Sequence, residues 1–384
     1  MLCSTRPRTL STAAAALALT GALAAGLPIA DAAPAPEPGA RPALRLGAPP
    51  GEVVQSATVA LGAGRLHAAG AGARTGRLST ESFSMVGFTW RGTSPDIALR
   101  TRTDGKWTSW RSVPPLTDGR AADGRSASSP LWVDQSQGIQ VRTRSRTPKA
   151  LELVLIDPGV LPGDRAASDT ADATTAPRAA VIGSAPQPEL HTRKEWGADP
   201  SWRNGRPVYT HRLRQIHVHH TATGNDYSRA DVPGILRGMY RYHTQTLGWF
   251  DIGYNFLVDR FGRAWVGRSG GVNRLVRGAH TLGFNEHSVG IAVIGNLERQ
   301  APSPEAVTAV VKLASWKLDR YGRDAEGTVR VTSTGSDKYP DGTTVRLPVI
   351  DGHRDTNDTA CPGGMLYVKL PDIRRRAQAR IDRF

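Results

Sequence analysis

Cysteine is nearly absent from this chain, because its 384 residues include only Cys3 and Cys361. A chain with so few cysteines has no disulfide framework, so its stability must come from packed cores. Aromatic residues are also scarce, at 6% of the chain, and no long apolar run follows residue 32. These absences exclude a small disulfide-rich scaffold and a bundle of membrane-spanning helices.

The one long apolar run lies at the N-terminus, where Arg6 and Arg8 precede an Ala/Leu-rich stretch ending at Ala32. This pattern predicts a secretory signal peptide over residues 1–32 and therefore a secreted chain. A membrane anchor is the alternative, but threonines, glycines and a proline interrupt the run, and a small-residue cleavage site follows it. Export would leave Cys361 as a lone thiol that is buried, reactive or bound to something.

Acidic residues are too few to balance the basic ones. The chain has 34 Asp and Glu against 49 Lys and Arg, which gives a formal net charge of +15. For an exported chain this charge favours an anionic cell wall polymer as partner over nucleic acid, with solubility alone as the alternative.

Composition divides the rest of the chain into four parts. Residues 33–51 are rich in Pro, Ala and Gly and predict a flexible leader. Short alternating runs over 52–158 predict a small all-β domain of unknown role. A stretch poor in large apolar residues, 159–188, predicts a linker. Residues 189–384 mix strand and helix signals, which predicts an α/β domain with a mixed central sheet flanked by helices.

The α/β part shows the clearest periodicities. Apolar runs predict strands over 214–221, 254–258 and 289–295, and the last is apolar enough to be a central strand buried on both faces. Helical spacing begins at Val232, at Ser303-Pro304, where serine caps the helix and proline follows, and at Pro371.

Histidines cluster on one predicted strand, which carries His217, His219 and His220, while His353 lies eight residues before Cys361. On a strand, His217 and His219 share a face and His220 points the other way. Taken singly, each histidine is more typical of a structural or substrate-binding residue than of a metal ligand. Two imidazoles and one thiolate nevertheless suit zinc and leave one position open for water or substrate. Bound zinc activates its water and polarises a carbonyl, and hydrolysis of an unactivated amide needs both effects.

Five segments then carry a family resemblance, in order along residues 189–384. They are RKEWGA (193–198), VHHTAT (218–223), GWFDIGYNFLVDRFGRAWVGR (248–268), GAHTLGFNEHSVGIAVIGN (278–296) and GHRDTNDTACPGG (352–364). Together they resemble the peptidoglycan recognition protein and type 2 N-acetylmuramoyl-L-alanine amidase family.

The resemblance implies a zinc site formed by His219, His353 and Cys361. It also implies peptidoglycan as substrate, with hydrolysis of the amide bond between N-acetylmuramic acid and L-alanine. Tyr254 and Thr359 match its catalytic helpers, and both hydroxyls can stabilise charge that develops on the carbonyl oxygen. No carboxylate general base is assigned, although Asp355 and Asp358 flank the site.

Candidate substrate contacts follow from the same match: His243, Trp249, Arg268, His280 and Asn285. Gly248-Trp249 resembles the dipeptide of members that favour diaminopimelate in the stem peptide, and Arg268 is suited to pair with its extra carboxylate. A core aromatic at a helix end is the alternative interpretation of Trp249. His217 is not expected to be a ligand.

Two other functions stay open. A recognition protein that binds peptidoglycan without cutting it would lack the cysteine, so Cys361 together with Tyr254 favours catalysis. A zinc peptidase would use a His-x-His pair, which His217 and His219 offer, but no accompanying pattern follows downstream. In the β-rich part, Trp107 and Trp110 suit either sugar stacking or a core, and we favour the core. No nucleic acid partner and no stable membrane anchor are expected.

Overall fold

The computed structural model describes residues 43–62, 64–144, 148–164 and 184–384. The predicted signal peptide and most of the predicted linker lie outside these residues. We call residues 43–164 the β region and residues 184–384 the α/β region. None of the described helices has the length and apolar character needed to cross a membrane.

The β region is built from antiparallel strands. Its main path runs β1-β10-β4-β9-β3-β2, with β5 on β9, β6 and β7 on β5, and β8 on β4. The strands are β1 Gln55–Ala60, β2 Leu66–Ala69, β3 Gly72–Thr75, β4 Leu78–Arg91, β5 Ile97–Thr103, β6 Lys106–Trp107, β7 Arg111–Val113, β8 Ser126–Ala127, β9 Leu131–Thr143 and β10 Lys149–Asp157. This agrees with the all-β prediction.

Strand β4 is buried on both faces over residues 83–90. Phe83 and Val86 pack into the core of the β region, whereas Met85 packs toward the α/β region. Register shifts between β4 and β9 on either side of Phe83 allow this change of face. Strand β4 therefore contributes side chains to two hydrophobic cores.

The described part of the predicted leader, residues 43–51, packs against the β region. Leu44 N donates to Ser79 O at 2.9 Å, and Leu46 N donates to the Glu81 carboxylate at 2.7 Å. Leu46 is buried in the core of the β region. An apolar side chain thus anchors a segment whose proline and glycine content had predicted flexibility.

Trp107 and Trp110, the two tryptophans singled out in the β-rich part, are half-buried and lie beneath arginine side chains. Arg142 lies 4.2 Å and Arg100 lies 5.1 Å from the Trp110 ring, and Arg100 lies 5.2 Å from the Trp107 ring. Neither ring belongs to an apolar core cluster of the described residues. Cation–π contacts hold both rings, rather than the core packing that we favoured.

The α/β region has a mixed five-stranded sheet in the order β13-β12-β14-β11-β17, and a separate β15-β16 hairpin. Strand β14 pairs in parallel with both β11 and β12, and all its residues are buried, as predicted for a central strand. The strands are β11 Gln215–His220, β12 Phe256–Val258, β13 Ala264–Val266, β14 Ser288–Val293, β15 Thr328–Thr332, β16 Thr344–Pro348 and β17 Ile350–Gly352.

Helices cover both faces of this sheet. The α-helices are α1 Asp231–Arg241, α2 Pro304–Arg320, α3 Gly364–Tyr367 and α4 Leu370–Ile381. Short 3-10 helices span Pro200–Trp202 and His353–Asp355, and a π-helix spans Tyr242–Thr246. Ser303 caps α2 by accepting from Ala306 N, as its sequence predicts. Helices α2 and α4 pack on one face of the sheet and α1 on the other.

Helix α1 and the π-helix that follows it join the two regions. The Tyr242 hydroxyl donates to Phe88 O at 2.9 Å, and a Cβ at Gly87 would lie 2.2 Å from the tyrosine ring. The buried Arg237 guanidinium donates to Asp164 at 2.8 and 2.6 Å. The β region is therefore packed directly onto the helix that precedes the GYNF segment.

Candidate metal centre

The three predicted ligands converge at the C-terminal ends of two neighbouring strands. Strands β11 and β17 run parallel, with Val218 opposite Gly352, so His219 and His353 follow side by side. Their ring centroids are 4.7 Å apart, and the loop after the 3-10 helix brings Cys361 to both. The ligand atoms of the three side chains all lie within 4.8 Å of one another, and all three are buried.

One of these spacings, between His219 and Cys361, is that expected for two ligands of a tetrahedral metal. His219 Nδ1 lies 3.6 Å from Cys361 Sγ. Nitrogen and sulfur ligands at ordinary zinc distances and a tetrahedral angle lie about 3.6 Å apart. His353 Nε2 is buried without a hydrogen-bond partner, and the backbone N–H of His220 donates to Cys361 Sγ at 3.4 Å. The donor set therefore suits a borderline-soft cation.

Burial sets the protonation of these ligands. It lowers the pKa of His353 to about 3 and the pKa of His219 well below its ordinary value, so both imidazoles are neutral. Neutral imidazole is the form that binds a metal. Burial also raises the pKa of the Cys361 thiol, so a nearby cation is needed to hold the thiolate.

A second histidine supports His219 from behind. His219 Nε2 lies 3.2 Å from Nδ1 of His280, which also lies 2.9 Å from the Thr281 hydroxyl. Asn285 Oδ1 accepts from the backbone N–H groups of His280 and Thr281 at 2.9 and 3.1 Å. The sequence assigned His280 and Asn285 to substrate contact, but His280 is fully buried behind a ligand and Asn285 holds its turn in place.

The remaining strand histidines have other partners. His217 Nδ1 lies 2.5 Å from Asp351 Oδ1, and Gln215 Nε2 donates to Asp351 Oδ2 at 2.9 Å. His220 points away, and its Nδ1 accepts from Leu297 N at 3.1 Å. Within the described residues, the group that could hold a metal consists of His219, His353 and Cys361.

A row of rings leads from the surface to the ligands. Successive centroids from Trp249 to His243, Tyr254 and His219 are 4.8, 6.4 and 5.3 Å apart. His243 is held by Gly253 N, which donates to its Nδ1 at 3.3 Å. Burial raises the pKa of Tyr254, so its hydroxyl stays protonated beside His219 and is able to donate a hydrogen bond.

The other predicted residues lie around this row. Thr359 is half-buried, and its Oγ1 accepts from Cys361 N at 3.3 Å. Arg268 donates to Ile252 O at 2.9 Å, and burial lowers its pKa to about 10. Asp355 accepts from the Gly352 backbone and from the Tyr367 hydroxyl, so its carboxylate supports the 3-10 helix that carries His353.

The sequence analysis did not identify one residue that lies beside the candidate metal centre. Asp118, from the segment between β7 and β8, places Oδ1 3.0 Å from His353 Nε2. The side chain is buried, and burial followed by the charge of Asp337 raises its pKa. Asp-Gly pairs are common in turns, so Asp118-Gly119 carried no signal of a functional role.

Both regions of the chain match models of known protein families. Residues 209–364 match the family model of N-acetylmuramoyl-L-alanine amidase, and residues 40–180 match a model described as Rv3811 N-terminal galactose-binding domain-like. Over 180 residues, 47% of this chain and 82% of the relative, the chain is 31% identical to peptidoglycan-recognition protein SC1a of Drosophila melanogaster.

Two further similarities involve the same part of the chain. A human N-acetylmuramoyl-L-alanine amidase is 38% identical over 128 residues, which is 32% of this chain and 21% of the relative. The solved structure of Drosophila PGRP-LB aligns with a TM-score of 0.38 and 26% identity, covering 47% of this chain and 92% of that one.

Proposed function

Because the chain belongs to the peptidoglycan-recognition protein and N-acetylmuramoyl-L-alanine amidase family, we propose that it is a secreted zinc amidase. Its substrate would be peptidoglycan, cut at the amide between N-acetylmuramic acid and the L-alanine of the stem peptide. The observation that carries this proposal is the convergence of His219, His353 and Cys361 in one buried cluster. The cysteine completes a ligand set that a pure binding protein does not need.

Zinc, when bound, would polarise the amide carbonyl and lower the pKa of a water molecule to near 7. The chain's own residues prepare the site for it. His219 and His353 offer neutral nitrogens, and the His220 backbone N–H stabilises a thiolate at Cys361.

Hydroxyl groups would stabilise the charge that develops on the carbonyl oxygen. The Tyr254 ring lies 5.3 Å from the His219 ring, and its protonated hydroxyl is a hydrogen-bond donor. Such a donor contributes roughly 10² to 10³ in rate. Thr359 already accepts from Cys361 N, which leaves its hydroxyl proton available as a second donor.

Substrate would bind along the row of rings. Trp249 offers a partly exposed aromatic face that stacks on the buried His243 ring, and the half-buried Arg268 cation is suited to the carboxylate of a diaminopimelate stem. His280 and Asn285 would act on the substrate only through His219. The N-terminal pattern of residues 1–32 supports secretion, and the net charge of +15 suits anionic cell wall polymers.

The nature of the product distinguishes this function from its alternatives. Purified peptidoglycan is digested at length with the zinc-loaded full chain and with Cys361→Ser, and new N-termini are identified. The proposal expects free N-terminal L-alanine from the wild type and none from the variant. Binding without new N-termini would indicate a recognition protein, and N-termini of other stem residues would indicate a peptidase.

A further inference from the structure

One face of the sheet in the β region is rich in arginine. Along β5 and β9, Leu99 and Val141 point into the core, so their chain neighbours point to the opposite, outer face. Arginines lie on this outer face, on or beside strands β3, β5 and β9, and we call them the arginine face: Arg74, Arg77, Arg100, Arg102 and Arg142. Arg74 and Arg77 are exposed, and the other three are half-buried.

Two tryptophans hold three of these arginines in a stack. The guanidinium carbon of Arg142 lies 4.2 Å from the centre of the Trp110 ring. That of Arg77 lies 5.5 Å from the centre of the Trp107 ring. Arg100 lies over both rings, at 5.1 and 5.2 Å. A guanidinium group that stacks on an aromatic ring keeps the N–H donors along its edge free, so the stack orients these cations without using their donors.

The arginine face has no acidic partner among the described residues. Acids of the β region that form ion pairs with arginine do so elsewhere, with Arg125, Arg144, Arg237 and Arg241. Arg100 donates to the neutral Gln140 side chain at 3.0 and 2.7 Å. Arg142 Nε is buried without a hydrogen-bond partner. The described part of the chain therefore leaves the positive charge of this face without a counterion.

The positions of these arginines in the sheet make the uncompensated charge costly. Arg74 and Arg142 lie directly opposite each other in β3 and β9, and like charges in such a pair destabilise a sheet. Arg100 and Arg102 alternate along β5, which places them on one face about 7 Å apart, and neighbouring strands are about 4.8 Å apart. The spacing of these cations suits a polymer with repeated negative charges rather than a single anion.

Other features of the arginine face favour a phosphate polymer over a membrane or a nucleic acid. The exposed large apolar side chains of the described residues lie elsewhere, so this face offers none for insertion into a lipid bilayer. Each indole ring already has two guanidinium groups over it, and these occupy the surface on which a nucleobase would stack. The face instead offers planar forks of N–H donors, which bond a phosphate through two of its oxygens.

We propose that the arginine face binds a cell wall polymer of polyol phosphates and thereby anchors the chain on its substrate. The choice of a wall polymer rests on the proposed function, whereas the surface and its charge do not. Anchoring would hold the chain at a high local concentration on a wall that carries such a polymer. Because contact with about five phosphates releases their counterions, the affinity should fall roughly 100-fold between about 50 and 200 mM salt.

The test measures binding of the purified full chain to immobilised poly(glycerol phosphate). Arg74→Gln/Arg77→Gln removes two exposed cations of the arginine face and leaves the half-buried arginines in place. Arg91→Gln/Lys149→Gln is the matched control, because it removes two exposed cations from strands β4 and β10 of the same region. Oligothymidylate with the same number of phosphates and polygalacturonate with the same number of carboxylates are the competing probes.

The wild type should bind poly(glycerol phosphate) more tightly than either competing probe. Arg74→Gln/Arg77→Gln should lower this affinity roughly tenfold, while the control stays within about twofold of the wild type. All three chains should release N-terminal alanine from a soluble muropeptide at the same rate. On intact wall, Arg74→Gln/Arg77→Gln should release it more slowly, and removal of the phosphate polymer with hydrofluoric acid should abolish this difference.

Other results would overturn the proposal. If both double variants lose affinity equally, the arginine face is not the binding surface. Tighter binding of oligothymidylate or polygalacturonate would identify a different polymer as the partner. Slower release from the wall that persists after hydrofluoric acid treatment would contradict the anchoring role. If no chain releases alanine while the difference in binding holds, the arginine face stands and the amidase function fails. If alanine is released but the wild type does not bind the polymer, this proposal alone fails.

Discussion

His219 Nε2 lies 3.2 Å from His280 Nδ1, and both imidazoles are fully buried. A metal bound by His219 Nδ1 beside Cys361 would require the ring proton on Nε2, where His280 Nδ1 would accept it and fix the tautomer. We expect His280→Ala to lower zinc affinity roughly 10- to 100-fold in a chelator competition. Replacement of the exposed His211 by alanine is the control. Equal affinities for wild type and His280→Ala would contradict this role.

Tyr254 is predicted to act in the transition state rather than in metal binding. Tyr254→Phe removes the hydroxyl and keeps the ring that packs 5.3 Å from His219. We expect kcat for alanine release to fall roughly 10²- to 10³-fold with zinc content unchanged. Tyr209→Phe, whose hydroxyl donates to Gly270 O away from the ligands, should leave kcat unchanged. A Tyr254→Phe enzyme of normal kcat would exclude this donor.

The Arg237–Asp164 pair is expected to stabilise the junction between the two regions. Both side chains are almost fully buried, with exposed fractions of 2% and 5%. Removal of one partner leaves a buried charge without its counterion, so Asp164→Ala should lower the free energy of unfolding by about 3–5 kcal/mol. Urea denaturation measures this change in the free energy of unfolding. Asp372→Ala, which breaks an exposed pair with Arg375, should cost less than about 1 kcal/mol. An equal loss of unfolding free energy in Asp164→Ala and Asp372→Ala would contradict this role of the buried pair.

Lys317 predicts a pH dependence of stability. Burial lowers its pKa from 10.5 to about 7, although its ammonium donates to Val272 O at 2.8 Å. Between these pH values the unfolded chain binds the additional proton, so the free energy of unfolding rises with pH by at most about 1.4 kcal/mol per unit. Lys317→Met should remove this slope. The free energy of unfolding is measured by urea denaturation as a function of pH. The same pH dependence in wild type and variant would show that the pKa of Lys317 is not lowered.

Much of the fold was predictable because it depends on local patterns. The apolar run 289–295 identified the central strand, and Ser303-Pro304 identified the start of α2, since capping and periodicity act within a few residues. The motif match singled out His219, His353 and Cys361, and the structure places their side chains in one buried cluster. Alternation along β11 also separated His220 from its neighbours.

The rest depends on tertiary packing that no local pattern reports. His280 lies in a segment typical of a substrate loop, yet the fold turns its ring behind His219. Leu46 is one apolar residue in a proline-rich stretch, and only the sheet it meets decides its burial. Asp118 is separated from His353 by more than two hundred residues, so docking of the β region alone brings them together.

Zinc binding by the purified full chain tests the central claim most directly. Titration against a chelator should show one zinc per wild-type chain and a large loss of affinity in Cys361→Ser, because the thiolate is one of the three proposed ligands, whose atoms lie within 4.8 Å of one another. A wild type that binds no zinc, or a Cys361→Ser variant that binds it equally well, would contradict the account.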